Sequence, residues 1–297
     1  MTGQVDGIAS THRGSVTPRW GFAVIPDPVT QGCALGFRIT TLWACEKLAL
    51  RELCDFAYNA VKGLLRMETS LHRQLKALYA PEAERQEIVL DGYRIDAVDE
   101  GELIEIQQGS LGAIRAKVKR LLERHRVRVV KPLAARTLLI RRDRKTGKDI
   151  SRRYSPRHDS FATLFLDFVH FGDVFPHPRL TLEVVLVEQE EIRVPVRRRW
   201  FRAKDYRTQD RRLIAIQDRR ILRTTADLLA LLPCDPWHIT TDGLFTTADL
   251  STACGVQRWL AQKMAYCLRK VGVFVLEGKR GNSWLYRVDV EQQAEAA

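Results

Sequence analysis

The spacing of apolar and polar positions predicts an α/β domain that begins near residue 67. Apolar residues recur at helical spacing in 70–79 and 111–125, and shorter apolar runs of strand type lie at 87–90, 93–98, 102–107 and 127–130. The predicted order is therefore helix, three strands, helix and strand. The helix before the last strand is the crossover that a parallel pair of strands requires.

Further elements extend this domain to about residue 223. They are a basic hairpin over 136–155, an apolar helix over 161–171, a strand over 180–187 and a basic stretch that ends at Arg223. Pro132 is expected to end the strand 127–130, because proline removes a donor from the ladder.

A second unit is predicted from residue 224 to residue 290. It contains helices at 226–232, 245–250 and 256–271, and then two short strands, 274–276 and 284–288, around the basic turn 278–282. Residues 1–66 read as an N-terminal extension, poorly structured at first and helical over 44–66, and 291–297 as a disordered tail.

The distribution of charge favours a polyanionic partner. The net charge is +12, and the segment 115–157 holds 17 Lys or Arg residues against 3 acids. Nucleic acid is the commonest partner of such a surface, although a solvated basic face that aids solubility is the alternative. We expect no membrane span and no secretory signal, and reduced thiols in a cytoplasmic protein.

Asp96 and Glu105 are the candidate catalytic pair. The turn at 99–101 places them on the two strands of one hairpin, where their carboxylates can converge on a hard cation. Gln107 lies two residues after Glu105 and therefore on the same face of the strand. Glu68, at the head of the first helix, is a candidate third carboxylate, with His72 one turn further along to position it or to contact phosphate.

The arrangement over residues 68–132 resembles the PD-(D/E)XK nuclease superfamily, whose core is restriction-endonuclease-like. Asp96 and Glu105 match the two acids of the family motif, but Gln107 stands at the position of its lysine. The resemblance implies a Mg²⁺- or Mn²⁺-dependent deoxyribonuclease in which Glu68, Asp96 and Glu105 bind metal and Gln107 positions the water. A cation from the next helix, Arg115 or Lys117, is expected to replace the missing lysine.

The unit at 224–288 resembles winged-helix DNA-binding domains. The resemblance implies that the second helix of the motif enters the major groove and that the wing contacts the backbone. The expected DNA-contacting residues are Gln257, Arg258 and Lys263 on the helix, Lys279 and Arg280 on the wing, and Arg115, Arg198 and Arg199 outside this unit. Trp200 and Phe201 beside the last two arginines suit base stacking, or else belong to the core.

The leading hypothesis is therefore a magnesium-dependent endonuclease that acts on duplex or branched DNA. Because glutamine brings no charge to the site, a second hypothesis is a non-catalytic DNA-binding protein or regulator with a degenerate nuclease fold. A nuclease that processes RNA is a third. A homodimer is a further possibility, because cutting both strands of a duplex often takes two active sites.

Overall fold

A mixed seven-stranded sheet with helices packed on it forms the α/β part of the protein. The computed structural model describes residues 68–196 and 205–289. The predictions for 1–66, for Arg198 and Arg199, and for 291–297 lie outside these residues.

The bounds of the elements follow the chain from α1 to β9. The strands are β1 Gln86–Leu90, β2 Tyr93–Asp99, β3 Glu102–Ile106, β4 Arg126–Arg142, β5 Asp149–Tyr154, β6 Leu180–Pro195, β7 Tyr206–Leu222, β8 Phe274–Arg280 and β9 Ser283–Val288. The helices are α1 Ser70–Tyr79, α2 Arg115–Leu121, α3 Leu164–Phe168, α4 Thr225–Leu229, α5 Thr247–Ala253 and α6 Arg258–Lys270.

The sheet has the order β1-β2-β3-β4-β6-β7, and β5 pairs with β4. β2 is antiparallel to both of its neighbours, β1 and β3, whereas β3, β4 and β6 run parallel. The predicted α/β class is confirmed, and the elements from α1 to β4 follow the predicted order of helix, three strands, helix and strand.

One prediction about the strands was wrong, and one strand was not predicted. β4 does not end at Pro132 but continues to Arg142. β3 stops at Ile106, which pairs with Val130. At Pro132, two residues further on, β4 therefore has no β3 partner on that side. Proline is tolerated at such an unpaired strand edge because no ladder hydrogen bond is lost. The basic stretch up to Arg223 contains the long strand β7, whose mostly exposed residues give no apolar alternation to detect.

Consecutive residues of β4 face two separate cores. Val130 packs with Leu71 and Leu75 of α1, whereas Val129 belongs to the larger core that contains α2 and α3. This larger core continues without a break into α6, where the thiol of Cys267 lies 3.6 Å from the carbonyl oxygen of Phe165. Residues 224–289 therefore belong to the same compact unit as the sheet.

The C-terminal segment adds a small hairpin to α4, α5 and α6. β8 and β9 are antiparallel, and a bridge between Phe245 and Tyr286 places a third segment beside β9. Cys234 and Cys254 form a disulfide with a Cα–Cα distance of 4.7 Å, which corrects the expectation of free thiols for this pair, while Cys267 is free and buried. No helix in the described parts of the chain is long and apolar enough to span a membrane.

The packing of α1 can be tested with two leucines of the same helix. Leu75 is fully buried, so we expect Leu75→Ala to lower the free energy of unfolding by about 2–5 kcal/mol. Leu78 is 53% exposed, and Leu78→Ala is expected to change it by less than about 0.5 kcal/mol. Urea unfolding followed by circular dichroism measures both values. Equal losses in the two variants would show that α1 does not pack as described.

Candidate active site

The two candidate carboxylates lie where β2 and β3 stop pairing. The ladder runs from Asp99↔Glu102 to Ala97↔Ile104. Just beyond it, the carboxylate of Asp96 accepts a hydrogen bond from the backbone amide of Ile106 at 2.8 Å. The side chain of Asp96 is 17% exposed and that of Glu105 is 11% exposed. Both acids are thus held at one end of the hairpin with little access to water.

Each carboxylate meets a basic side chain from a different helix. Nζ of Lys117 on α2 donates to Oε2 of Glu105 at 2.6 Å, and it also donates to the carbonyl oxygen of Arg94 at 2.5 Å. Nε2 of His72 on α1 lies 3.2 Å from Oδ1 of Asp96. The hairpin and both flanking helices therefore fix the position of the pair.

Burial and these contacts shift the pKa values of three groups, raising those of Glu105 and His72 and lowering that of Asp96. Burial, and next the negative charge of Asp96, raise the pKa of Glu105 to about 7, although Lys117 opposes the shift. Burial alone would raise the pKa of Asp96, but His72 and the amide of Ile106 hold it below its usual value. Burial alone would lower the pKa of His72, but Asp96 raises it. Glu105 thus lies close enough to Asp96 for the charge of Asp96 to affect its ionisation.

Glu68 is connected to this pair through His72. Its carboxylate lies 2.5 Å from Nζ of Lys76 and 3.5 Å from Nε2 of His72. The almost fully buried Lys76 also contacts Glu87. Within residues 68–196 and 205–289, no three His, Cys, Asp or Glu side chains are grouped so that they hold a metal ion, and the predicted set of three acidic ligands stays a prediction.

Arg115 and Lys117 were the two residues predicted to replace the lysine of the family motif. Within the part of the chain that the structure describes, Lys117 contacts a candidate acid and Arg115 does not. Arg115 is turned toward Asp173, at 3.4 Å. The side-chain nitrogen of Gln107 donates to the carbonyl oxygen of Ser110 at 2.7 Å, so this nitrogen is engaged by the turn that follows β3.

The predicted DNA-contacting residues of α6 are all exposed. Gln257 is the N-cap residue of the helix, and its side-chain oxygen accepts a hydrogen bond from the indole N–H of Trp259. Arg258 and Lys263 lie in the first and second turns of the helix and are open to solvent.

The two predicted wing residues are exposed but differ in their contacts. Nζ of Lys279 lies 4.5 Å from the ring centre of Trp284, a cation–π contact. Arg280 instead lies 3.5 Å from Asp242 and 3.7 Å from Asp249, so acids of the same segment balance its charge.

Sequence reasoning missed one contact of the site and one cleft that the site residues do not line. The contact between His72 and Asp96 joins residues from α1 and β2, and a local sequence pattern does not predict such a tertiary contact. A polar cleft of about 550 Å³ lies along β4, β6 and β7, with Lys131, Gln189 and Glu191 in its lining. It was missed because β7 had not been predicted as a strand.

Comparison with known proteins places the chain in a family. A protein of Treponema pallidum (strain Nichols), described as uncharacterized, is 34% identical over 222 residues, which are 74% of this chain and 85% of the relative. No solved structure gives a significant match. A family model described as "Domain of unknown function (DUF8091)" matches residues 69–223, from the N-cap of α1 to just after β7 and just over half of the 297 residues. The chain therefore belongs to the DUF8091 family.

Proposed function

We propose that this protein is a metal-dependent nuclease that hydrolyses phosphodiester bonds of DNA at Asp96 and Glu105. The observation that carries the proposal is the placement of the buried Glu105 and the half-buried Asp96 at one end of the hairpin, with the amino group of Lys117 on Glu105. The order and pairing of the elements from α1 to β4 support the resemblance to the PD-(D/E)XK core.

The two carboxylates suit a magnesium ion. Burial raises the pKa of Glu105, and the negative charge of Asp96 raises it further, so a divalent cation at this place would favour the ionised form of both acids. Magnesium is commonly bound by one or two carboxylates while water and substrate phosphate fill its other positions. When bound, the ion supplies an activated water and a Lewis acid for the phosphate.

Lys117 is the residue that would replace the lysine of the family motif. Its ammonium group is fixed by Glu105 and by the carbonyl oxygen of Arg94, so it is in place before charge develops on the phosphate. A preorganised cation stabilises such charge better than the neutral amide of Gln107. The engaged nitrogen of Gln107 gives this residue a role in shaping the turn after β3.

His72 and Glu68 act as positioning residues in this scheme. His72 contacts Asp96 directly, and Glu68 contacts His72, so the pair orients the carboxylate of Asp96 from the side of α1. In this scheme Glu68 would influence a bound metal ion indirectly, through His72, and would not be a ligand itself.

The C-terminal segment supports a role in holding DNA. Its order of α4, the bridge at Phe245, α5, α6 and the β8–β9 hairpin supports the resemblance to a winged helix. Lys263 and Lys279 are exposed there and are available to phosphate groups.

A non-catalytic DNA-binding protein is the second candidate function. It is favoured by Gln107, which brings no charge and whose amide nitrogen is bonded to Ser110. In that case the protein would bind DNA equally well with and without a chelator and would cut neither DNA nor RNA.

The nuclease proposal predicts metal-dependent cleavage that needs both acids. We expect the full-length protein to cut at least one of plasmid, linear, branched and single-stranded DNA in Mg²⁺ or Mn²⁺ and none in EDTA. Asp96→Asn and Glu105→Gln should each lower the rate by about 100-fold or more, because each removes a proposed metal ligand. Glu100→Gln, an exposed acid in the turn of the same hairpin, is the control and should cut normally. Unchanged cleavage by Asp96→Asn would refute the assignment.

Lys117 should control the ionisation of Glu105. Because its positive charge lowers the pKa of Glu105, Lys117→Met should raise this pKa above about 7, whereas Asp96→Asn should lower it. Carboxyl ¹³C NMR titration of the metal-free protein measures both shifts. The control is Lys119→Met, an exposed lysine on the same helix, which should leave the titration unchanged. An unchanged pKa of Glu105 in Lys117→Met would show that Lys117 does not act on the candidate site.

A further inference from the structure

The exposed face of α6 carries a regular stripe of aromatic and basic side chains. Trp259, Lys263, Tyr266 and Lys270 follow one another at intervals of four, three and four residues, which places them on one side of the helix. All four are exposed. The opposite side is buried in the core and consists of Ala261, Met264, Ala265 and Leu268. We refer to the four exposed residues as the α6 stripe.

Packing does not explain the aromatic residues of the α6 stripe. Trp259 is 50% exposed and Tyr266 is 41% exposed, although both are on a helix whose other side already supplies the core contacts. Two large aromatic side chains grouped on one exposed face of a helix are a candidate interaction surface, unlike singly scattered ones. The hydrogen bond from the indole of Trp259 to Gln257 further holds the ring at the start of the helix.

The charge of α6 selects an anionic partner. The helix contains four basic residues and no acid. Lys263 and Lys270 lie within the α6 stripe and alternate with the two rings, so a binding partner meets cations and aromatic planes in turn. A polymer with evenly spaced negative charges and flat rings, which is a nucleic acid, matches both features.

The aromatic planes favour unpaired bases over a duplex. Duplex DNA is read by hydrogen bonds from side chains such as Arg, Asn and Gln to base edges in the groove, and its base faces are hidden by stacking. Exposed rings become useful when bases are unstacked and their faces are free. Trp259 and Tyr266 are about 10 Å apart along the helix axis, so the two rings would meet different bases.

We propose that the α6 stripe binds single-stranded DNA, with Trp259 and Tyr266 stacking on bases and Lys263 and Lys270 contacting phosphates. The wing repeats the combination, since Trp284 is 50% exposed and Lys279 lies over its ring. The proposal rests on the proposed function in that both take DNA as the partner. It makes a DNA with a single-stranded portion the preferred substrate.

Binding without cleavage tests the α6 stripe separately from the candidate active site. The full-length protein in EDTA would be titrated, by fluorescence anisotropy, into labelled oligothymidylate of about 20 nucleotides and into a duplex of equal length. We expect Trp259→Ala and Tyr266→Ala each to weaken binding of the single strand about 10-fold or more, with a change of less than threefold for the duplex. Trp259→Phe, which keeps an aromatic plane, should restore most of the affinity.

The control residue is Trp237, which is 44% exposed and lies outside α6. Trp237→Ala should leave binding of both probes unchanged. For the single strand, Lys263→Gln combined with Lys270→Gln should reduce the slope of log affinity against log salt concentration by about 1.4, because two phosphate contacts are lost at about 0.7 each. All of these side chains are exposed, so circular dichroism melts should match those of the wild type.

Two results would overturn the proposal. One is an equal loss of affinity for single strand and duplex in Trp259→Ala. The other is unchanged binding of both probes together with dissociation of a self-associated form in sedimentation, which would make the α6 stripe a protein interface. If the protein cleaves DNA in a way that needs Asp96, but Trp259→Ala and Tyr266→Ala bind the single strand as tightly as the wild type, only the proposal for the α6 stripe fails. If stripe-dependent binding persists and no DNA is cut, only the nuclease proposal fails.

Discussion

The parallel pairing of β3 with β4 is the constraint on which the candidate site depends. A tight turn cannot join parallel neighbours, so the chain must cross over the sheet between Ile106 and Arg126, and α2 lies in this crossover. Val118 and Leu121 of α2 are buried against the larger core, which fixes the helix on the sheet. Lys117, next to Val118, is thereby brought to Glu105. The position of the catalytic lysine in our scheme thus follows from the topology and needs no local motif.

The same topology explains why two acids tolerate a place with little water. Isolated carboxylates there would be costly, but each has a basic partner on a packed helix, Lys117 on α2 for Glu105 and His72 on α1 for Asp96. The basic partners do not fully offset burial and the negative charge of Asp96, which together raise the pKa of Glu105 to about 7. The fold therefore holds two charges in a state that a divalent cation would stabilise, which links the packing of both helices to the proposed chemistry.

Local patterns predicted the fold where short-range physics decides it. The bounds of α1 and the β2–β3 hairpin followed from leucine spacing and from a turn at Gly101, and both are observed. Local patterns did not predict the contacts between residues that are distant in the sequence. The sequence named Arg115 or Lys117 as a replacement for the lysine, and the packing of α2 places Lys117 on Glu105 and Arg115 near Asp173. Likewise, β4 passes through Pro132 because β3 has ended, a fact about a neighbouring strand that the proline itself does not reveal.

The most direct test of the account is a count of metal ions bound by Asp96 and Glu105. Electron paramagnetic resonance of Mn²⁺ added to the full-length protein near pH 8, above the pKa of Glu105 at about 7, measures this number. The account predicts saturable binding of Mn²⁺ by the wild type and by Glu100→Gln, and loss of that binding in both Asp96→Asn and Glu105→Gln. Equal binding in all four proteins, or no binding in the wild type, would contradict it.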